Sequence, residues 1–533
     1  MWFDTTRRNK IRFMVTDNQQ NIATNNKRIA KNTLMLYIRM LFMMGVSLFT
    51  SRVILQTLGV EDFGIFSVVG GIITMFSFIN GGMVNATQRF ITFEIGKGNL
   101  ENLKSVFSTS LQIHALISLL IVILGETVGL WFLYEKMVIP ESRMVAALWV
   151  YQCSIILCVV NIMSIPYNAD IVAHERMSAF AYISIVEVTL KLAIVYLLLI
   201  SPWDKLIIYS ILLLLVQLSI RFIYSYYCNK HFEETKYEHK LNKYLFKEMV
   251  SFAGWSFWGN LSVVFYNQGL NLLLNVFFGP IINAARGIAV QVQNAVKQLV
   301  LNFQMALNPQ ITKNYAVGNM DQMFNLMFTS ARFSFFLLYL ISLPIILEID
   351  FILHIWLGNY PVETSIFTRL VIFISLVYTT ANPCCIANQA TGYVKKFQVV
   401  EGGVLLTIVP ISYILLKLGY PPYSVFIVHL IVECIAQCAR LYLLNIQINL
   451  SIVQFVCKVY LPVAKVVLLS SILPIYLAIH LEYGWMKFIL VTTVSLICTA
   501  VSVYLLGLSF EERSFINQKV QFWRLKLNRR KNI

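Results

Sequence analysis

Long apolar segments joined by short connectors dominate this chain and restrict it to folds that bury helices in a lipid bilayer. About 20 consecutive apolar residues are needed for a helix to cross the hydrocarbon core. Fourteen segments meet this requirement: 34–55, 64–90, 106–134, 144–166, 180–200, 204–227, 250–277, 283–309, 326–356, 366–389, 398–418, 424–446, 458–480 and 485–507. The pattern predicts an all-α, polytopic membrane protein with about 14 transmembrane helices.

Composition agrees with this prediction and excludes a large soluble enzyme. The 533 residues are 58% hydrophobic and only 13% charged, whereas a soluble domain carries about 25% charged residues. The net charge of +16 would suggest a nucleic-acid partner in a soluble protein, but a positive-inside bias explains it here. We therefore expect no nucleic-acid partner, and we expect both basic termini to lie in the cytoplasm.

A weak internal repeat divides the chain into two halves of the same orientation. Ile91-Thr92 and Gly98-Asn99 recur 220 residues later as Ile311-Thr312 and Gly318-Asn319. Coincidence between two apolar stretches is the alternative, but the register persists through a polar loop. Two parallel six-helix lobes are typical of an alternating-access transporter whose site lies between the lobes near the midplane.

The predicted organisation has six parts. They are a cytoplasmic basic N-terminal tail (1–31), an N-lobe of helices 1–6 (32–228), a cytoplasmic linker (229–248), a C-lobe of helices 7–12 (249–446), helices 13–14 (447–508) and a cytoplasmic basic tail (509–533).

The eighth segment carries the most polar face in the chain. Four of its residues fall within about 40° of one another on a helix: Arg286, Gln293, Lys297 and Gln304. Such a helix cannot face lipid, so we expect it to line a water-filled cavity. The alternative is that the amides form hydrogen bonds between helices.

Two other segments supply further candidates for the same cavity. Asn260, Asn267 and Asn271 share one face of the seventh segment, and Arg39 and Arg52 are the basic residues of the first. For Arg52, reaching the membrane interface is an equally good explanation. Arginine and lysine directed into a pocket favour an anionic substrate, phosphate above all.

Intramembrane carboxylates are candidates for ion coupling. Glu187 and Lys191 are four residues apart in the fifth segment, and Glu401 lies at nearly the matching place in the eleventh. The pair either neutralises itself or provides a site for H⁺ or Na⁺ that is released when the lobes rearrange.

Enzyme motifs are not evident in the sequence. No Gly-x-x-x-x-Gly-Lys-Ser/Thr loop occurs, and His174-Glu-Arg has no second histidine at zinc-helix spacing. We therefore expect no catalytic residues, no metal ligands, no cofactor and no enzymatic activity.

Three stretches near the start resemble a known family. Asn32-Thr-Leu-Met-Leu-Tyr-Ile-Arg39, Leu58-Gly-Val-Glu-Asp-Phe-Gly-Ile-Phe66 and Gln88-Arg-Phe-Ile-Thr-Phe-Glu-Ile-Gly-Lys-Gly-Asn99 are similar to the polysaccharide-exporter branch of the MATE-like multidrug/oligosaccharidyl-lipid/polysaccharide flippase superfamily. The resemblance implies two six-helix lobes in the bacterial inner membrane. It also implies a flippase for an undecaprenyl-diphosphate-linked oligosaccharide in O-antigen, capsule or exopolysaccharide synthesis, with membrane lipid and polysaccharide polymerase or assembly proteins as partners.

Two other functions are compatible with this sequence. A cation-coupled multidrug antiporter belongs to the same superfamily, but a drug site should be apolar with one or two carboxylates. A non-transporting scaffold for polysaccharide assembly would tolerate charge reversal in the cavity.

Overall fold

The computed structural model describes residues 32–43, 78–135, 139–236, 242–358, 360–510, 512–514 and 517–518, with single positions or pairs between 45 and 69. Three predictions lie largely or wholly outside the described residues. They concern the basic tail 1–31, most of the tail 509–533, and Arg52.

The described residues form helices and no strand, which confirms the all-α prediction. The first seven long helices are α1 (Asn32–Met43), α2 (Phe78–Lys97), α3 (Leu100–Glu135), α4 (Met144–Ala173), α5 (Met177–Ile200), α6 (Lys205–His231) and α7 (Lys243–Phe278). The next seven are α8 (Pro280–Ala316), α9 (Met320–Leu357), α10 (Thr364–Thr391), α11 (Lys395–Lys417), α12 (Ser424–Ile448), α13 (Ile452–His480) and α14 (Trp485–Gly507).

Each of the fourteen predicted segments overlaps one of these helices, although 34–55 and 64–90 do so only over their described parts. Within the described residues, eleven are long and apolar enough to cross a membrane. The other three are α1, α2 and α8. The polar residues of α2 and α8 keep these two helices out of the group, and the described part of α1 is too short. Most helices extend beyond the predicted spans, as α8 does beyond 283–309, because a helix continues through polar residues once it leaves the hydrocarbon core. The protein is a multi-pass membrane protein.

The chain divides into two compact units. The first comprises the described residues up to Leu261 together with Met305–Asn319 and Gln389–Lys395, and the second comprises Ser262–Gln304, Met320–Asn388 and the described residues from Lys396 onward. The helices α7, α8 and α10, and α11 by its first residue, thus contribute residues to both units. The predicted boundaries of the lobes and the linker stay predictions.

The first unit is held by an apolar core and by one ionic tie at a helix end. Phe107 of α3 packs edge-on against Tyr167 of α4, with ring centroids 5.3 Å apart. Arg143, just before α4, binds Asp62 at 2.6 Å and Asp204 at 2.5 Å. Asp204 also caps α6 by accepting from two backbone amides of its first turn. Asp62 and the starts of α4 and α6 therefore meet at one end of this unit.

The second unit has an aromatic core that includes its last two helices. Phe367 of α10 packs on Phe426 of α12, with ring centroids 4.5 Å apart. Phe351 of α9 packs against Trp485 and Phe488 of α14, with ring centroids 5.2 and 5.0 Å away. Phe336 of α9 packs with Val463 and Val466 of α13, so both α13 and α14 pack onto α9 within this unit.

Candidate functional site

Arg286 is the best-enclosed of the predicted cavity cations. Its side chain is 5% exposed, and Nη2 donates to the backbone oxygen and Oδ1 of Asn267 at 3.1 and 3.2 Å. Nη1 donates to Oδ1 of Asn271. The amides therefore orient the guanidinium without neutralising its charge.

An open groove of about 660 Å³ borders this arrangement. Asn271, Gln268 and Asn283 contribute polar atoms to its lining, and Phe265 and Leu272 are among its apolar residues. A ligand in this groove would meet apolar surface beside the amide that holds Arg286.

Lys297 is the second predicted cation of α8 in the second unit. Its Nζ lies 5.3 Å from the ring centroid of Tyr378, a distance that permits a cation–π interaction. Lys297 makes no salt bridge among the residues that the structure describes. Lys297 interacts electrostatically with Glu433 and His429, both in α12.

A buried arginine that sequence reasoning missed completes this charge network. Arg440 of α12 has 0% exposure. Its Nε donates to Oε1 of Glu401 at 2.7 Å, and its Nη1 donates to Oε1 of Glu433 at 2.8 Å. The predicted coupling residue Glu401 is therefore bound in an ion pair. Glu433 and Arg440 are seven residues apart on one helix, a spacing that could have drawn attention to them.

In the network of intramembrane charges formed by these residues of the second unit, cations outnumber carboxylates. Arg286, Lys297 and Arg440 are opposed by Glu401 and Glu433, so one positive charge remains when His429 is neutral. An enclosed excess of positive charge favours an anion nearby, because an uncompensated charge in a low-dielectric site costs several kcal/mol, of the order of 3–5.

The glutamines of α8 are bound between helices. Gln293 donates to Ser375 Oγ at 2.8 Å and to the backbone oxygen of Val371 at 3.0 Å. Gln304 donates to Ser334 Oγ at 2.9 Å and accepts from Asn382 at 2.6 Å. These bonds are what the interhelical alternative expects, and a role in substrate contact stays a prediction.

The remaining predicted candidates lie in the first unit. Asn260 is half-buried and is separated by two turns from the amides that bind Arg286. The guanidinium of Arg39 lies 4.4 Å from the ring centroid of Phe180. Arg39 is also attracted electrostatically by Glu187. Glu187 Oε1 lies 2.6 Å from Lys191 Nζ, so the neutralising pair of the structural alternative is formed.

Two further polar residues of the first unit hold parts of the chain that are distant in sequence. Arg89, 7% exposed, donates to the backbone oxygens of Gln389 and Ala390 at 3.1 Å each. A Cβ at Gly392, whose φ is +82°, would lie 2.7 Å from Arg89 Nη2. The structure therefore buries Arg89 against the end of α10.

Glu175 makes a similar contact on α8. It has a left-handed backbone with φ 59°. Its Oε1 accepts from Gln310 at 2.6 Å and pairs with Lys313 at 2.8 Å, and its backbone oxygen accepts from Asn32 at 3.2 Å. Residues of α1 and α8 therefore converge on the turn after α4.

Comparison with solved structures places the fold among membrane transporters. An outward-facing multidrug resistance MATE family transporter of the MOP superfamily is 13% identical, with TM-score 0.68 over 79% of this chain and 96% of that chain. A MATE structure in the bent conformation is 14% identical, with TM-score 0.69 over 80% and 96%. A MOP superfamily transporter from Pyrococcus furiosus, whose binding pocket is described as having reverse polarity, is 15% identical, with TM-score 0.61 over 79% and 96%. At these identities the likeness shows the fold, and it confirms the MATE-like prediction.

Sequence comparison gives the family. No curated protein matches this chain. The pattern of the polysaccharide biosynthesis protein family matches residues 29–315, which is more than half of the 533 residues and includes α1–α7 and most of α8. A MATE-like fold and this match together identify the chain as a member of the polysaccharide biosynthesis protein family.

Proposed function

We propose that this protein is a flippase that moves an undecaprenyl-diphosphate-linked oligosaccharide across the bacterial inner membrane by alternating access. The product would feed O-antigen, capsule or exopolysaccharide synthesis. One observation carries the proposal: the second unit encloses Arg286 and Lys297 among amides and an aromatic ring, with no carboxylate bound directly to either within the described residues.

A diphosphate is a suitable counter-anion for these cations. Arginine offers several N–H donors in a plane, and lysine offers a compact positive charge, so the pair can bind phosphate oxygens with hydrogen bonds and charge. The amides of Asn267 and Asn271 hold Arg286 in place before a ligand arrives. Asn260, Gln293, Gln304, Arg39 and Arg52 remain proposed contributors to the same substrate path.

A cation-coupled multidrug antiporter is the second candidate, because the similar solved structures include multidrug transporters. A site for a cationic drug needs an available carboxylate. In the network described above, Glu401 and Glu433 are both bound to Arg440, so the flippase fits the geometry better.

Coupling to H⁺ or Na⁺ is proposed to involve Glu187, Lys191 and Glu401, each of which is already in an ion pair. Protonation of Glu187 would release Lys191 and weaken the local charge balance beside Arg39. The variant Glu187→Gln should then slow transport while leaving the amount of folded protein unchanged. Unchanged transport in that variant would leave the pair a purely structural role.

The main experiment uses a deletion strain of the native host. Lipid extracts should accumulate a complete undecaprenyl-diphosphate-linked repeat unit, and surface glycan should be lost. Complementation with the wild-type gene should reverse both effects. The double variant Arg286→Glu, Lys297→Glu should fail to complement at normal protein levels, whereas Lys417→Glu, a charge reversal at the exposed end of α11, should complement fully.

Each other outcome points to a different function. No lipid accumulation, with increased sensitivity to cationic drugs, would favour the antiporter. Normal surface glycan in the double variant would remove the role of these cations and favour a non-transporting scaffold.

A further inference from the structure

A cluster of two carboxylates and one histidine lies in the first unit, at the end of α4 just before Glu175. Asp170 and His174 are at the end of α4, and Glu234 is in the short helix Glu233–Thr235 that follows α6. One candidate ligand atom of each residue lies within 4.8 Å of the others. A helical residue and the one four positions later lie on the same face, so α4 presents Asp170 and His174 side by side.

Asp170 has no cationic partner within hydrogen-bond distance among the described residues, and the group that its carboxyl can hydrogen-bond is a second acid, Glu234. Asp170 is 0% exposed, and neither of its carboxylate oxygens accepts a hydrogen bond from a described residue. The nearest recorded cationic atom is His174 Nε2, at 3.7 Å from Oδ1. That distance is too long for a hydrogen bond.

The histidine cannot satisfy both acids. His174 Nε2 lies 2.5 Å from Glu234 Oε1, and a ring nitrogen carries a single N–H. Arg221 of α6 does not compensate, since its guanidinium lies 4.2 Å from the ring centroid of Tyr167 and forms no salt bridge with these acids among the described residues. Two enclosed carboxylates therefore face one imidazole.

We propose that Asp170, His174 and Glu234 bind one divalent transition-metal ion of the Zn²⁺ type. One imidazole nitrogen and two carboxylate oxygens are a ligand set that Zn²⁺ accepts, with water in the fourth position. The ion supplies the positive charge that the imidazole alone does not.

The observed distances require only a small adjustment. Ligand atoms about 2.0–2.2 Å from a tetrahedral Zn²⁺ lie roughly 3.3–3.6 Å from each other. The separation of 3.7 Å between His174 Nε2 and Asp170 Oδ1 exceeds that range by only about 0.1 Å. The separation of 2.5 Å between His174 and Glu234 must open by about 1 Å as the metal replaces their hydrogen bond.

The surroundings leave the cluster accessible to solvent at His174 and hold the side chains of His174 and Glu234 in position. The side chain of His174 is 26% exposed, which opens the cluster to solvent and leaves room for a bound water. Its ring stacks on Phe232 at 4.2 Å with an interplanar angle of 9°. Thr235 Oγ1 donates to the backbone oxygen of Phe232 at 2.9 Å, which fixes the turn that carries Glu234. The ion would tie the end of α4 to the chain leaving α6.

The test uses the purified full-length protein, stripped with EDTA and dialysed against micromolar Zn²⁺ beside a weak chelator. Metal analysis should find about one tightly held Zn²⁺ per chain. Asp170→Asn, His174→Gln and Glu234→Gln should each lose it. His231→Gln, which removes an exposed neighbouring histidine whose hydrogen bond among the described residues is to Tyr227 of its own helix, should retain it.

Two further measurements identify the ligands and separate binding from misfolding. Co²⁺ loaded in place of Zn²⁺ should give visible absorption bands typical of a low-coordinate N/O site in the wild type and in His231→Gln, but not in the three ligand variants. Zn²⁺ should raise the melting temperature of the wild type by several degrees and leave that of Asp170→Asn unchanged. Each variant should elute as a monodisperse peak by gel filtration.

Three results would overturn the proposal. Zn²⁺ content that is equal in the wild type and the three variants would place the metal elsewhere. Absence of Zn²⁺ from the wild type would leave no metal to assign. A fall in the melting temperature of Asp170→Asn in EDTA, without metal binding by the wild type, would show that the two carboxylates share a proton instead. None of these results bears on transport, so the site and the flippase function are tested separately.

Discussion

Two clusters, one in each compact unit, combine one basic side chain with two carboxylates. They differ in how completely the basic group compensates the two negative charges. In the second unit, separate guanidinium nitrogens of Arg440 reach Glu401 and Glu433 at 2.7 and 2.8 Å. In the first, the single Nε2 of His174 reaches Glu234 at 2.5 Å and leaves Asp170 at 3.7 Å. A planar guanidinium has five N–H donors, whereas an imidazole presents one toward a given side. The Arg440 cluster is internally complete, whereas the His174 cluster calls for an added cation.

The largest expected effect comes from removing Arg440. The variant Arg440→Met leaves two enclosed carboxylates without their cation, and the free energy of unfolding should fall by about 3–5 kcal/mol. A loss of melting temperature and of folded yield in detergent would show this. The control Arg369→Met removes a half-exposed arginine paired with Asp350 at 2.7 Å, and it should change stability by about 1 kcal/mol or less. Equal effects of the two variants would contradict the comparison.

Neutralising one acid in each cluster should have opposite effects in metal-free protein. Glu433→Gln weakens a satisfied ion pair, so the free energy of unfolding should fall by about 1–3 kcal/mol. Asp170→Asn removes a charge that its cluster does not compensate, so stability should rise by about 1 kcal/mol. Thermal melts in EDTA would measure both. A destabilising Asp170→Asn would mean that the carboxylate already has an adequate partner.

The smallest effect is expected for Arg143, Asp62 and Asp204, which also combine one basic side chain with two carboxylates but are partly exposed to solvent. Burial disfavours the charged form of Asp204. The hydrogen bond from Arg143 and the bonds from the first backbone amides of α6 outweigh this effect and lower the pKa of Asp204 below its ordinary value of 3.8. Because the folded pKa is the lower one, the stabilising contribution is present above that ordinary pKa and is lost as pH falls through the folded pKa.

A comparison of the wild type with Asp204→Asn should therefore show a stability difference that shrinks as pH falls below about 4. Melting curves between neutral pH and acid pH would check this, with Glu101→Gln, an exposed acid near the start of α3, as the control. A difference that does not depend on pH would assign the effect to helix capping alone.

The sequence predicted the helices well and the charge clusters poorly, for a physical reason. Hydropathy over about 20 residues is a local property, so each of the fourteen segments was recognisable without knowledge of its neighbours. The contact between Arg286 and its amides was also within reach, because Asn267, Asn271 and Arg286 lie on consecutive helices. Even so, periodicity places Gln293 and Gln304 on the polar face of α8 whether they bind neighbouring helices or line a cavity, so it could not distinguish the two roles.

Clusters that join distant helices were beyond this approach. Arg440 lies near the end of an apolar segment, where an arginine usually reaches the membrane interface, and its partner Glu401 is 39 residues away. Asp170 and His174 have a spacing suited to a shared ligand, but Glu234 is 60 residues beyond His174. Only the packing of α4 against α6 brings the third residue to the first two.

The contact of Arg89 with the end of α10 has a consequence for natural variation. Arg89 occupies the space into which any Cβ at Gly392 would project, and it also binds the two carbonyl oxygens just before that glycine. Among descendants of a common ancestor, a larger residue at 392 should survive only together with a shorter one at 89. These two positions, 303 residues apart, should therefore change together during evolution, with glycine lost at one and arginine at the other.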